Sequence, residues 1–401
     1  MHCTKYTFGS HFSSREIKVI QVYYARRILA AAALIVLVVA AVYSVRLALA
    51  DAAFREQTPQ SVARALKILP DRVSYLLFRA QQMDYDGESS TVLLAHAARV
   101  NPLSSAPRIR LGLAAEARGD LLEAEKWLLE AATVDHQFEP RWTLANFYFR
   151  RERSAEFWKW MRAALDVSYG DRRLPFDLCW RMTQNAQEVL TLAIPDRHEV
   201  LAAYLYYLMD QHRDAVAPAA LKLAGFHDRN DVAELETACD VLINDGKAAE
   251  ARELWRQMGH APTGVIVNGD FASEPSGHGF DWRPSRVEGI SDVSLPGSYR
   301  ILFSGKQPES TELLRQFVTL HAGKTYSLRW EVRTQGFGSP SGIEWTAGTT
   351  HAALEIRHTT LNAEAALIPI TLVYHRPVGQ ARAEGSVEIR SVSLIEEQTN
   401  R

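Results

Sequence analysis

The side chains able to do chemistry are scattered along this 401-residue chain, and their spacing matches no common reaction centre. His351, His358 and His375 fall on or near strand-like segments of the last third, where imidazoles could relay protons or bind a metal. Glu331, Glu344 and Glu355 are the carboxylates from which a glycoside-cleaving pair would have to be assembled. That chemistry needs two carboxyl groups held about 5–10 Å apart. No His-Glu-x-x-His, no phosphate-cradling Gly-x-x-x-x-Gly-Lys-Ser/Thr and no Gly-x-Ser-x-Gly occurs, and the run from Gly338 to Gly342 puts Pro340 at the nucleophile position. The expectation is a protein that is not an enzyme and holds no cofactor or metal. An envelope glycan-acting hydrolase using the last third of the chain is the alternative.

Composition narrows the rest. Hydrophobic residues are 47% and charged residues 23%, the range of folded domains. Forty-five basic against 47 acidic side chains give a net charge of −2, which argues against a nucleic-acid partner because phosphate neutralisation needs a basic face. Three cysteines cannot staple a chain of this length. Cys179 and Cys239 could pair if they met an oxidising compartment, but two buried helical thiols are the simpler expectation.

The elements that would position any site begin with ILAAAALIVLVVAAVYSV, from Ile28 to Val45, in which only Tyr43 and Ser44 carry a polar atom. As a helix it spans about 27 Å, close to a bilayer core. Leu47 to Ala50 extend it if Arg46 snorkels. Residues 28–50 therefore read as a transmembrane signal anchor, preceded by a cytoplasmic segment over 1–27. Cleavage after Ala48-Leu49-Ala50 as a signal peptide is the competing reading. Arg15, Lys18, Arg26 and Arg27 before the span, against Arg46, Arg55 and Arg64 after it, favour an N-terminus inside. The bulk then lies on the periplasmic or extracytoplasmic side of a bacterial inner membrane.

From Pro59 the chain is rich in Ala, Leu and Glu and poor in Gly. Ala65, Ala98, Ala132 and Ala164 close helical segments at intervals of 33, 34 and 32 residues. The clearest unit has Leu111-Gly112, a Gly119-Asp120 turn, then Ala124, Leu128 and Ala131. Another has Asn244-Asp245-Gly246 as its turn, with Ala251 and Trp255 behind it. Between them, Trp142 to Val167 lacks the Gly-Asp turn, and Pro195 and Pro218 break the helices that follow. These patterns resemble tetratricopeptide repeats, implying an α-helical solenoid of five or six hairpins over 58–260 that offers a surface to a protein partner. The aromatics around Trp142, Phe147, Tyr148, Phe157, Trp158 and Trp160, and those at Tyr204, Tyr206 and Tyr207, fit helix packing better than a ligand groove.

Near Gly259 the character changes, and fourteen of the 22 glycines lie in the last 138 residues. In TYSLRWEVR, Tyr326, Leu328, Trp330 and Val332 alternate with Ser327, Arg329, Glu331 and Arg333, the period of a half-buried strand. Eight or nine such segments predict an antiparallel β-sandwich over 264–396. Val267-Asn268-Gly269-Asp270-Phe271, Gly279-Phe280-Asp281-Trp282, the Leu314-Arg315-Gln316-Phe317-Val318 to Tyr326 element and the closing strand Val387 to Leu394 resemble the jelly-roll carbohydrate-binding modules found beside bacterial glycanases.

That resemblance implies a polysaccharide ligand held by aromatic platforms and polar groups, for which Trp345, Phe337, Arg333 and Glu344 are the candidates. Trp282 and Trp330 are assigned to the core. Many such modules hold a structural calcium with an acid before the final Val-x-Leu; Arg390 and Ser391 stand there instead. The whole reads as a multidomain α + β protein: transmembrane helix, solenoid, then jelly roll. It would serve as a membrane-anchored scaffold of the cell envelope, in polysaccharide assembly or export, with a sandwich that unfolds independently of the repeats.

Overall fold

The computed structural model describes residues 14–260, 265–338, 341–363 and 365–397. Contacts divide the chain into two compact units, 1–147 and 148–401.

The first unit opens with α1 (Ser14–Phe54), a single uninterrupted helix. Its segment Arg26–Phe54 is long and apolar enough to cross a membrane. Leu34 to Val39 stand 55–66% exposed around the full circumference, a distribution that water does not support. The last turns behave differently. Leu47, Ala50, Ala53 and Phe54 pack against Ala65 of α2 (Pro59–Ile68), Leu69 just beyond its end, and Tyr75 of α3 (Val73–Tyr85), and Ala50 is wholly buried. Arg46 donates from Nη2 to the Ile68 carbonyl, and the Tyr75 hydroxyl donates to Asp51. The helical array thus starts inside α1, ahead of the boundary at residue 58 expected from composition. Such a junction has no composition signal, since Leu and Ala suit lipid and helix packing equally well.

Antiparallel helices continue through α4 (Thr91–Val100), α5 (Ala106–Ala117) and α6 (Leu121–Val134) to α7 (Phe138–Arg150), within which the division between units falls. The α5–α6 pair shows why its motif residues are there. Gly119 takes φ +84°, a left-handed conformation that a Cβ disfavours, and the Asp120 side chain caps the next helix by accepting from Glu123 N–H at 3.0 Å. A Cβ on Gly112 would lie 2.7 Å from the Leu128 side chain, so the missing side chain sets the helix–helix distance.

In the second unit come α8 (Ser154–Asp166), α9 (Arg173–Thr183), α10 (Ala186–Leu192), α11 (His198–Gln211), α12 (Ala217–Ala224), α13 (Val232–Asn244) and α14 (Ala248–Gln257). The α7–α8 turn that lacks Gly-Asp is made by Glu152 in the left-handed region at φ +55°. Phe147, Tyr148, Phe157 and Trp158 are buried, as are Tyr204 and Tyr207; Tyr206 is not, at 65% exposed. Cys179 and Cys239 are free and buried, and burial raises both thiol pKa values, that of Cys239 to about 12. The chain is thus a tetratricopeptide-like helical array followed by a β-sandwich.

The sandwich has ten strands among the described residues, one or two more than the sequence predicts. These are β1 (Arg283–Pro284), β2 (Ile290–Leu295), β3 (Ser298–Ser304), β4 (Ser310–Thr319), β5 (Thr325–Gln335), β6 (Ile343–Ala347), β7 (Thr350–Ala353), β8 (His358–Asn362), β9 (Leu367–His375) and β10 (Glu384–Glu396). They form two antiparallel five-stranded sheets, ordered β1-β4-β9-β6-β7 and β2-β3-β10-β5-β8. Inward residues of both sheets, among them Trp282, Tyr299, Tyr326, Trp330, Trp345 and Tyr374, make one core.

Candidate functional site

The four residues expected to form a sugar platform are not brought together. Trp345 alternates inward on β6 and is 1% exposed, tilted against Trp282 and Trp330, so it is a core residue and cannot present a stacking face. Its position after a Gly/Pro loop suggests exposure, but the period-2 phase of β6 decides otherwise. Glu344, its neighbour, points outward from the same sheet. Arg333 is exposed on β5 of the opposite sheet. Phe337 lies beyond the end of β5, packed edge-on against Phe303, and lines a rim cleft of about 400 Å³ with Tyr374 and Arg382. Four residues close in sequence are separated because a strand reversal carries the chain from one sheet to the other.

Of the three strand histidines, two gather on Glu344. His351 Nδ1 lies 3.2 Å and His375 Nε2 3.6 Å from Glu344 Oε1, from the strands on either side. His358 stands on β8 in the other sheet. Glu331 faces Arg390 from β5, and Glu355 accepts from Ser341 N–H at 2.9 Å. The three glutamates occupy separate elements.

On β10, Arg390 Nε lies 3.2 Å from Glu388 Oε1. Elsewhere, His198, Asp228 and Asp231 place one ligand atom each within 4.8 Å. His198 Nε2 and Asp231 Oδ2 are 2.7 Å apart, a direct hydrogen bond rather than the separation of two ligands on one ion, and that bond raises the His198 pKa.

A polar cluster joins α13 to the sandwich, and no sequence signal marks it. Asp240 Oδ1 accepts from Gly279 N–H at 2.8 Å and from Arg283 Nη2 at 2.6 Å, and its Oδ2 meets His278 Nδ1 at 2.7 Å. Arg283 also donates to the Gly279 carbonyl at 2.8 Å. Gly279, at φ +55°, has no room for a side chain, because a Cβ would fall 2.2 Å from the Trp255 ring. Below this clamp Trp255 stacks on His260 at 3.8 Å and meets Phe280 edge-on. Burial lowers the His260 pKa. These rings, with Tyr326, Arg252 and Glu396, line a cavity of about 510 Å³ between α14 and the sandwich. Residues about 40 positions apart meet here only through the docking of the two parts.

No protein-family profile matches the chain, and no curated protein matches it. Solved structures give weak likenesses. One described as "CBM4 structure and function" is 15% identical, covering 33% of this chain and 99% of its own, with a TM-score of 0.20. The APC/C hetero-tetramer Cut9-Hcn1 is 13% identical over 51% of this chain and 37% of its own, with a TM-score of 0.26. A monomeric IFIT1 mutant with Gppp-AAAA is 18% identical over 52% and 47%, with a TM-score of 0.28. The chain thus spans less than half of each helical relative. Similarity at this level leaves the fold to be read from the helices and strands themselves.

Proposed function

We propose that this protein is a single-pass, membrane-anchored and non-catalytic scaffold of the bacterial cell envelope. The helical repeats would bind a protein partner and the sandwich a carbohydrate or a second protein, in polysaccharide assembly or export. One observation carries the reading: α1 runs from its apolar stretch into the helical array without a break, and Ala50 is buried in the first helical layer. Cleavage after Ala50 would sever that packing and free Arg46 from the Ile68 carbonyl. An uncleaved anchor fits better than a removed signal peptide. The positive charges before the span favour the bulk of the chain outside the inner membrane.

Membrane fractionation with N-terminal mass analysis tests this. Wild type should stay with the membrane and begin before Asp51. Replacing Leu37 and Val38 with Asp should cost about 5–7 kcal/mol of insertion and release or destabilise the protein. A soluble wild-type product beginning at Asp51 would refute the anchor. Release of reducing sugar by the full chain, lost on replacing one of Glu331, Glu344 or Glu355, would refute the non-catalytic role.

A further inference from the structure

The first unit carries a cleft of about 700 Å³, within the usual size of ligand sites. Tyr43 and Arg46 of α1 form one side, the α2–α3 turn a second, and the end of α4 a third.

Its depth along α1 is what matters. At 1.5 Å per residue the helix from Arg26 to Arg46 spans about 30 Å, the thickness of a hydrocarbon core. In the anchored protein both arginines therefore stand at headgroup level, with Tyr43 as an interfacial ring about one turn inside Arg46. α2 runs back along α1, and the Arg46 guanidinium donates to the Ile68 carbonyl at its end. That bond holds the α2–α3 turn at the same level. The α4–α5 turn follows directly on the cleft residue Asn101 and leaves Leu103 77% exposed, an apolar side chain suited to the lipid boundary.

The cleft combines cationic donors with apolar surface. Arg46 spends one donor on a carbonyl and pairs with no carboxylate; Arg72 is exposed and enters no hydrogen bond or ion pair among the described residues. The one acid, Asp71, lies 3.1 Å from His96 Nε2. Asn101 Oδ1 accepts from Leu103 N–H at 3.2 Å, which leaves its amide hydrogens to donate. Val73 and Val100 line the same cleft half-buried, and Tyr43 adjoins the exposed apolar run of α1.

We infer that this cleft is a headgroup site for an anionic phospholipid, with the phosphate held by Arg46 and Arg72 and the acyl chains lying along α1. A guanidinium matches a phosphate with paired N–H donors, and it repels the quaternary amine of a zwitterionic headgroup. A soluble phosphate would use the donors but leave the apolar surface beside Tyr43 unmatched. This rests on the membrane-anchored reading and adds the class of lipid that the anchored protein selects.

The test reconstitutes the full chain in nanodiscs of equal parts phosphatidylglycerol and phosphatidylcholine. Native mass spectrometry after release into detergent then counts the lipids retained. Wild type should retain phosphatidylglycerol in preference. Arg72→Gln should cut that preference about three- to tenfold with the melting temperature unchanged, because the side chain has no folding partner. Arg99→Gln makes the same charge change near the end of α4 but outside the cleft, and should leave the preference intact. Three results would overturn the inference while the anchor stands: equal retention of both lipids by inserted wild type, a preference that Arg72→Gln leaves intact, or equal losses in the two variants. Phosphatidylcholine discs titrated with inorganic phosphate supply the other arm. Arg72-dependent phosphate binding without any lipid preference would make this a site for a soluble anion and overturn the lipid assignment. Wild type that fails to enter the discs would refute the anchor and the site together.

Discussion

Replacing Asp240 with Ala should loosen the sandwich and the last helical hairpin together. The carboxylate is 20% exposed and accepts from three donors, two of them on cationic or titratable side chains. Hydrogen bonds to charged groups are worth about 1.5–3 kcal/mol each. They do not add fully here: Arg283 keeps the Gly279 carbonyl, and the His278 side chain, 43% exposed, can turn to water. A loss of about 2–4 kcal/mol follows, or roughly 4–16 °C in melting temperature for a unit of this size. Native-state hydrogen exchange read by mass spectrometry resolves where the loss falls. Because α8–α14 and the sandwich lie in one compact unit, amides of α13 and of β3 and β10 should lose protection by similar amounts. Asp240→Asn, which retains one acceptor oxygen, should lose less. If Asp240→Ala leaves sandwich amides protected as in wild type, the contact is only a surface pairing. The independent unfolding expected from sequence would then stand.

Gly112→Val should overpack the α5–α6 contact at Leu128 and destabilise the first unit by about 1–3 kcal/mol or more, read as loss of exchange protection confined to α4–α6; unchanged protection there would refute the close-approach role. Trp345→Ala should cost about 3–5 kcal/mol in thermal unfolding, whereas an unchanged melting temperature would show the ring to be a surface platform after all. His198→Gln should matter more in acid than in base. Asp231 raises the folded His198 pKa, so its contribution is fully present below the unfolded value of about 6.5 and fades as pH rises through the folded one. The stability gap to wild type should therefore be wider near pH ~5.5 than near pH ~8.5; a gap that widens with rising pH would refute the pairing.

The sequence by itself determined several features that depend on local periodicity. An uncharged run of helical length specifies the apolar stretch of α1, though not its continuation to Phe54. Small residues at repeat spacing specify the helical pairs, as Gly112 against Leu128 bears out. Period-2 alternation specifies β5, with Leu328 and Trp330 inward. What only the tertiary structure decided depends on phase and on long-range meeting. Trp345 became core because β6 happens to present its odd-numbered residues inward, which a five-residue strand after a loop does not announce. Glu344 gained two imidazoles only because β7 and β9 flank β6. Asp240 on a helix and Gly279 in a loop carry no local signature of their pairing, since each is defined by partners on other elements. Helix and strand patterns record what a residue does for its own segment. A site built across segments is fixed by the packing of those segments, which local sequence does not encode.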